Sequence, residues 1–280
     1  MNTMPVLFVG HGSPMYVIEE NPFQEQWRAI ARRIPVPKAI LCISAHWYCE
    51  GQAVCAVSAP RTIHDFYGFP QALYQIQYPA PGAPELAQKV ASLFPTPISL
   101  DTEWGLDHGA WSILHFMYPQ ADIPVCQLSI NALLTPEQSY QTGALLRPLR
   151  QEGVLIIGSG NIVHNLGLID WGKTDGFGWA DEFDFYIKQA ILSQQHEQVM
   201  QFQRQQGTAR AFVSREHFDP LLHVLGASTE RDQIHVFNDV RVMGSLSMTS
   251  YLFEEKTDNI ITAIPENTGC VNGSCYSHLP

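Results

Sequence analysis

Residues 5–14 read PVLFVGHGSP, a short apolar run that passes through a glycine into a histidine. Two later stretches are built in the same way. AILCISA at residues 39–45 leads into His46, and VLIIGSGN at residues 154–161 is followed closely by His164. Continuous apolar runs of this length are typical of strands buried on both faces of a parallel sheet. The three stretches therefore predict the centre of the fold, with a histidine just beyond each strand.

Stretches with helical patterning separate the apolar runs. Two of them carry a proline, Pro84 or Pro136, where the first turn of a helix tolerates it. Strands that alternate with helices predict a single α/β domain whose mostly parallel central sheet has helices on both faces. The other predicted elements are helices at 23–33, 85–94, 109–117, 136–150 and 179–194, strands at 54–57 and 124–130, and a return to strand structure at 235–252.

The composition describes a folded, acidic protein. Of the 280 residues, 45% are hydrophobic and 15% are charged, which excludes an intrinsically disordered chain. The net charge of −11 argues against a general affinity for nucleic acid or acidic membrane surfaces. No apolar run approaches the roughly 20 residues of a membrane helix, and the N-terminus lacks the basic start of a secretion signal. We therefore expect a cytoplasmic protein, and nothing in the sequence indicates its oligomeric state.

The last part of the chain differs from the rest. Residues 254–280 contain few core-forming residues in their second half, and we expect them to form a C-terminal extension to a domain at residues 1–253. Cys270 and Cys275 lie in this extension. The sequence has no Cys-x-x-Cys pair, so a reducing cytoplasm would leave these two cysteines as inert thiols.

The histidines after the three strands are candidates for one shared metal site. Ligands of open α/β sheets bind at the carboxyl ends of the strands, where His11, His46 and His164 are expected. Neutral imidazole is the commonest metal ligand and suits zinc or iron. A single histidine after a strand is more often a structural hydrogen-bonding residue, but three at equivalent positions favour a metal site. Small neighbours such as Gly10 and Gly160 allow backbone and substrate to approach closely.

Three further histidines lie in contexts that suit a site. His108 begins a predicted helix, His217 precedes an apolar run, and His64 lies in a loop that contains glycine and proline. Other common sites are excluded by spacing. The sequence has no His-Glu-x-x-His helix of a zinc protease, and Gly-Ser-Gly at residues 158–160 lacks the spacing of a serine nucleophile.

Five short motifs occur in order along the chain. They are HGSP at residues 11–14, SAHW at 44–47, HDFYGFP at 64–70, DHG at 107–109 and GSGNIVHN at 158–165. Together they resemble the extradiol ring-cleaving dioxygenases of the class III, LigB type, and within them the DOPA 4,5-dioxygenase-type branch. The resemblance covers roughly residues 4–252. It implies that residues 1–253 form a catalytic domain and leaves the extension outside the family pattern.

The resemblance implies a non-haem metal site with His11 and His46 as ligands. His164 falls where the family places either a further ligand or the acid/base residue. His217 matches the remaining metal-site histidine, and His108 matches a histidine that faces the substrate. We therefore expect His164 and His108 to be catalytic, and His11, His46, His164 and His217 to hold the metal.

The identity of the metal depends on the last ligand. Ring-cleaving iron enzymes usually hold iron with two histidines and a carboxylate, and Glu216 is the nearest carboxylate to His217. An all-histidine set would favour zinc, which has no redox chemistry. Both assignments remain open from the sequence. From the loop and strand-end motifs we expect His64, Tyr67 and Asn161 to bind the substrate.

The activity implied by the resemblance is metal-dependent cleavage of a catechol such as DOPA with O2. The ring would open next to the hydroxyls and give a muconic semialdehyde-type product. Fe(II) would be needed for ring cleavage, although Zn(II) can be the bound ion. Two alternatives stay open. One is a zinc-dependent hydrolase on the same histidines, because zinc-bound water is a ready nucleophile. The other is a non-catalytic metal-binding relative.

Overall fold

The structure is a computed structural model that describes residues 3–256. The strands are β1 (Val6–Gly10), β2 (Ala39–Cys49), β3 (Ala53–Cys55), β4 (Ser99–Asp101), β5 (Val125–Asn131), β6 (Val154–Gly160), β7 (Asp232–Phe237), β8 (Arg241–Val242), β9 (Leu246–Ser247) and β10 (Ser250–Glu255). The α-helices are α1 (Pro22–Arg33), α2 (Gln71–Tyr74), α3 (Pro84–Ser92), α4 (His108–Met117), α5 (Pro136–Leu145), α6 (Arg147–Gln151), α7 (Gly178–Leu192), α8 (His196–Met200), α9 (Thr208–Ala211) and α10 (Asp219–Ala227).

Eight strands form one sheet in the order β4-β3-β5-β2-β6-β1-β10-β7, and β8 pairs separately with β9. The central strands β5, β2, β6 and β1 are all parallel to their neighbours within this group. Antiparallel pairing occurs where β10 joins β1, where β7 joins β10, and where β3 joins β5. The predicted single-domain α/β fold with a mostly parallel sheet is confirmed.

Helices cover both faces of the sheet, and the side chains of the central strands are therefore buried on both sides. In β1, Val6 and Phe8 belong to one apolar cluster, together with residues of α7 and α10. Leu7 and Val9 belong to the other, together with residues of α1 and α4. All four side chains are at most 1% exposed. This two-sided burial explains why the strand reads as a continuous apolar run rather than an alternating one.

The helix predicted at residues 136–150 is two helices. Thr135 begins α5 with a capping box that includes Gln138, and α5 ends at Leu145. The next helix, α6, begins at Arg147 and carries Pro148 in its first turn. Proline lacks an N–H group and its ring collides with the preceding turn of a continuous helix. The proline therefore belongs at the start of a new helix, and the expectation of one long helix was wrong.

The sequence prediction lacked the edge strand β4, the buried helix α10 and the short helices α2, α8 and α9. The predicted return to strand structure near residues 235–252 corresponds to β7 and β10 with a short β8–β9 hairpin between them. Residues 257–280, with Cys270 and Cys275, lie outside the described residues, so the division at residue 253 stays a prediction. None of the helices in residues 3–256 has the length and apolar character needed to cross a membrane.

Candidate metal centre

Three parallel strands bring the first two histidines to one edge of the sheet. β1 and β2 lie on either side of β6, so their carboxyl ends meet at the same edge. His11 directly follows the last residue of β1. His46 lies inside β2, where the register with β5 shifts between Ile43 and Tyr48. Such an irregularity bends a strand and re-aims its side chains, and here it coincides with His46.

A third histidine reaches this edge from a loop that precedes α10. The backbone N–H of Asn161 donates a hydrogen bond to the carbonyl oxygen of His217 at 2.8 Å. A Cβ atom on Gly160 would lie only 2.1 Å from that same oxygen. The close approach therefore requires glycine at the end of β6. Gly160 and the backbone N–H of Asn161 together place His217 beside His11 and His46.

The ligand nitrogens of His11, His46 and His217 all lie within 4.8 Å of one another. The Nε2 atoms of His11 and His46 are 3.2 Å apart. Nε2 of His217 is buried and has no hydrogen-bond partner among residues 3–256. Ring centroids in this group are 5.0 to 5.3 Å apart. Three imidazoles thus surround one small volume.

Hydrogen bonds to the other ring nitrogen show which nitrogen each histidine offers. Ser159 donates its hydroxyl to the carbonyl oxygen of Gly109 at 2.6 Å. Its oxygen, 2.9 Å from Nδ1 of His11, must therefore accept a hydrogen bond from a protonated Nδ1. Nδ1 of His46 lies 3.0 Å from the carboxylate of Asp65, which can only accept when it is ionised. In its neutral form, each of these two histidines therefore presents an unprotonated Nε2 to the other.

The spacing of these nitrogens fits a bound divalent metal. Two facing lone pairs at 3.2 Å repel unless a proton or a cation lies between them. Nitrogens bound to one ion at about 2.1 Å lie about 3.0 to 3.4 Å apart for the usual bond angles. The orphaned Nε2 of His217 supplies a third donor of the same kind. The residues present therefore match the donor set of a zinc or non-haem iron site.

Burial keeps two of the three histidines neutral. The pKa values of His11 and His217 lie well below the ordinary value, first because burial penalises the charged form and then because other histidines surround them. His46 differs. Burial alone would lower its pKa, but Asp65, Asp107 and Glu216 outweigh burial and raise it. Near neutral pH His11 and His217 are thus ready to bind a cation without first losing a proton.

His164 lies against the far side of His217. Their rings stack with centroids 3.4 Å apart and planes 6° from parallel. His164, Glu216 and His217 form a second group whose ligand atoms lie within 4.8 Å. Burial lowers the pKa of His164 to about 4. Glu216 lies 3.2 Å from Nδ1 of His217 through one oxygen, and its other oxygen is buried without a hydrogen-bond partner in the described chain.

His108 enters from the first turn of α4. Asp107 caps this helix by accepting from the N–H of Ala110. The side chain of Asp65 lies between His108 and His46, 3.0 Å from Nδ1 of each. Burial lowers the pKa of His108, with a further contribution from His46. Burial alone would raise the pKa of Asp65, but the rings of His108 and His46 beside its carboxylate outweigh burial and lower the pKa strongly.

The residues predicted to bind substrate lie in different surroundings. His64 donates from Nε2 to the carbonyl oxygen of Ile76 at 2.9 Å. Tyr67 is 92% exposed at the tip of its loop. Asn161 is buried and donates to the carbonyl oxygen of Ser247 at 2.7 Å, which fixes its side chain. The substrate roles of His64, Tyr67 and Asn161, like the ligand and catalytic roles above, stay predictions.

Two polar residues of the site were not singled out from the sequence. Asp65 and Ser159 both lie inside motifs already noted, HDFYGFP and GSGN. Their contacts with histidines from distant parts of the chain depend on how the loops fold. Their positions were the only signal in the sequence: Asp65 follows His64, and Ser159 lies near the end of a buried strand.

Comparison with known proteins supports the same class of site. The family described as the catalytic LigB subunit of aromatic ring-opening dioxygenase matches residues 5–254. The chain is 45% identical to a protein of Escherichia coli named 4,5-DOPA dioxygenase extradiol, over 88% of this chain and 93% of that one. A protein of Beta vulgaris with the same name is 38% identical, over 90% of this chain and 97% of that one.

A solved structure has the same fold. The crystal structure of an uncharacterized protein from Escherichia coli K12 superposes with a TM-score of 0.78 at 38% sequence identity. The match covers 89% of this chain and 99% of that chain. The family match, the relatives and the fold agree along nearly the whole described chain. This chain belongs to the family of LigB-type extradiol aromatic ring-opening dioxygenases.

Proposed function

We propose that this protein opens the ring of a catechol such as DOPA with O2, next to the two hydroxyls, in a reaction that depends on a divalent metal. The observation that carries the proposal is the close grouping of ring nitrogens on His11, His46 and His217, which lie within 4.8 Å of one another. It is supported by relatives whose names specify extradiol cleavage of DOPA.

The proposed metal ligands are His11, His46 and His217. Glu216 interacts with Nδ1 of His217 and so orients that ligand rather than replacing it. A divalent metal held here would supply positive charge that lowers the pKa of the catechol hydroxyls, and Fe(II) would add the redox activity that oxygen chemistry needs. Three imidazoles also bind Zn(II), which supplies only the charge.

His164 is proposed to accept a proton from the catechol. Its ring is neutral near pH 7 because burial lowers its pKa to about 4, so it has a free nitrogen lone pair. Such a group is a weak base in the empty site. The negative charge of a bound catecholate would raise the pKa of His164, because an opposite charge favours the protonated form. Proton transfer would thus be coupled to substrate binding.

Aromatic side chains form a wall next to His108. The Phe66 ring lies 5.5 Å from the His108 ring in an edge-to-face arrangement, and it also contacts Phe69, Tyr74 and Trp111. An aromatic, largely apolar wall of this kind suits a planar ring. We propose that the catechol ring lies between this wall and the histidines, with His108 facing it.

The overall reaction balances without an external reductant. Both atoms of O2 enter the product, and one carbon–carbon bond beside a hydroxyl-bearing carbon breaks. One carbon becomes a carboxylic acid and the other an aldehyde, which is the muconic semialdehyde type of product. The organic substrate supplies all the electrons that reduce O2.

The proposal is tested by oxygen uptake. Metal-free protein is loaded anaerobically with Fe(II) and given DOPA in an oxygen electrode, with absorbance scans for a yellow product. We expect uptake of one O2 per DOPA together with a new visible band. His11→Ala should abolish both, since it removes one metal ligand.

His115→Ala is the matched control, because this half-buried histidine of α4 contacts Phe116 and belongs to none of the histidine groups. It should retain uptake. Firm metal binding without oxygen uptake across several catechols would contradict the proposal and favour zinc-dependent hydrolysis at the same histidines.

A cytoplasmic location is also proposed. Cys42, Cys49, Cys55 and Cys126 are free thiols in the described chain, which fits a reducing compartment.

A further inference from the structure

We infer that Asp65 is a positioning residue that holds a metal ligand and the substrate-facing histidine at the same time. The inference rests on the proposed function, which assigns these roles to His46 and His108. It concerns a residue that lies inside the HDFYGFP motif but was not singled out from the sequence.

One oxygen of Asp65 is shared by two imidazoles. Oδ2 lies 3.0 Å from Nδ1 of His46 and 3.0 Å from Nδ1 of His108. The two imidazole rings are themselves close, with centroids 3.9 Å apart. The other oxygen, Oδ1, accepts a hydrogen bond from the backbone N–H of His108 at 2.9 Å. The carboxylate is therefore anchored on the first turn of α4 while its second oxygen faces both rings.

This arrangement favours the same tautomer in both histidines, and the contact with His108 is a close approach of 3.0 Å that does not meet hydrogen-bond geometry. An ionised carboxylate only accepts, so each neighbouring Nδ1 is favoured as the protonated nitrogen. Nε2 of each neutral ring then keeps its lone pair. For His46 this is the nitrogen that faces His11 at 3.2 Å. For His108 it leaves a nitrogen that can accept a hydrogen bond from a substrate hydroxyl.

The contacts of Asp65 indicate that it positions the two histidines and does more than hold its loop. It lies between β3 and α2, outside any helix or strand, and its side chain is 20% exposed. A carboxylate that only fixed the loop would be satisfied by the backbone N–H of His108. Oδ2 instead has two imidazoles as its ion-pair neighbours among residues 3–256.

His11 provides an internal contrast. Its tautomer is set by Ser159, a neutral group that touches no other histidine of the site. Loss of Asp65 should therefore affect two steps, metal binding through His46 and turnover through His108. This double effect distinguishes Asp65 from an ordinary partner of one ligand.

The test uses Asp65→Asn in the full chain. The amide has nearly the same shape but carries one acceptor oxygen and one donor NH2 group, so it cannot accept from both rings and from the backbone N–H of His108 at the same time. Metal-free wild type and variant are titrated with Zn(II). We expect the variant to bind about 10- to 100-fold more weakly, the usual effect of losing a group that orients a ligand. With saturating Fe(II), kcat for DOPA should remain reduced.

Asp101→Asn is the matched control. Asp101, the last residue of β4, has a carboxylate that accepts hydrogen bonds from the backbone N–H groups of Glu103 and Trp104. Its substitution removes the same negative charge as Asp65→Asn. It should leave Zn(II) affinity and kcat unchanged. Circular dichroism of both variants checks that the fold is retained.

A second readout is independent of metal and activity. Nitrogen-15 NMR of histidine-labelled, metal-free protein reports which ring nitrogen carries the proton. Wild type should show Nδ1–H for His46 and His108, and Asp65→Asn should change at least one of them. Unchanged tautomers with unchanged Zn(II) affinity would overturn the inference. A wild type that binds no metal would instead overturn the proposed function, while the tautomer experiment would still test Asp65.

Discussion

The hydroxyl of one buried serine decides which nitrogen of His11 can bind a metal. Because Ser159 donates to the carbonyl oxygen of Gly109, it can only accept from Nδ1 of His11. Without the serine, neither tautomer of His11 would be favoured by this contact. Ser159 therefore orients the proposed ligand His11 through its other ring nitrogen.

Ser159→Ala should weaken metal binding. We expect the dissociation constant for Zn(II) to rise about 10-fold or more, since His11 is free to adopt the wrong tautomer. Isothermal titration of metal-free protein measures the change. Ser139→Ala is the control, because Ser139 is equally buried but its hydroxyl has no partner within the described chain. Equal affinities in the two variants would show that Ser159 has no such role.

At the scale of elements, glycines at the end of β6 allow the start of α10 and the segment before it to pack against the strand. Cβ atoms on Gly158 and Gly160 would lie 2.7 Å from the carbonyl oxygen of Pro220 and 2.1 Å from that of His217. Helix α10 packs directly on β6 and begins at Asp219, so only Phe218 separates it from His217. Strand and helix together thus set the distance of His217 from the other ligands.

Gly160→Ala should disturb both stability and metal binding. The added methyl group collides with backbone, so we expect a loss of about 1 to 3 kcal/mol in the free energy of unfolding. Displacement of His217 should also weaken Zn(II) binding. Urea unfolding and metal titration measure the two effects. Gly178→Ala is the control, since a Cβ atom there meets nothing within 4 Å. A Gly160→Ala variant with wild-type stability and affinity would contradict this account of the packing.

Helix α10 also carries a buried histidine outside the metal group. Burial lowers the pKa of His223 to about 4, although a hydrogen bond to the carbonyl oxygen of Asp219 works in the opposite direction. The unfolded chain takes up a proton at this position below about pH 6.5, whereas the folded chain does so only near pH 4. The stability that depends on neutral His223 is therefore complete above pH 6.5 and is lost as the pH falls towards 4.

His223→Gln should make the protein less sensitive to acid. Between pH 6.5 and 4 the stability of the variant should fall less steeply than that of wild type, by about 1.4 kcal/mol per pH unit. Urea unfolding at several pH values gives both slopes, and contributions from the other histidines cancel in the difference. Parallel curves for the two proteins would show that His223 is protonated in the folded state.

At the scale of the whole molecule, the sequence predicted the layers of the fold and part of the site. Apolar runs of β1, β2 and β6 are continuous because both faces are buried, so the strand positions could be predicted directly. His46 was expected just beyond its strand, but β2 continues to Cys49 and contains it. His217 and His108 were candidates from their sequence context, and only the family resemblance gave them specific roles. Their positions depend on loops whose path local sequence does not determine.

The same reason explains what was missed. Asp65 lies in a loop, and its two histidine partners come from β2 and α4, which are distant in sequence. The break before α6 was missed because a proline in the first turn and a proline inside a helix look alike in a helical pattern. Contacts between distant segments, rather than local propensity, account for these differences.

The central claim is that His11, His46 and His217 hold one divalent metal, and an anomalous difference map tests it most directly. Diffraction data from crystals of metal-loaded protein, collected at the absorption edge of the bound zinc or iron, locate the ion. The account predicts one peak about 2.0 to 2.3 Å from Nε2 of each of these histidines. A peak among His46, Asp65 and His108, or one bound to Glu216 in place of His217, would contradict it.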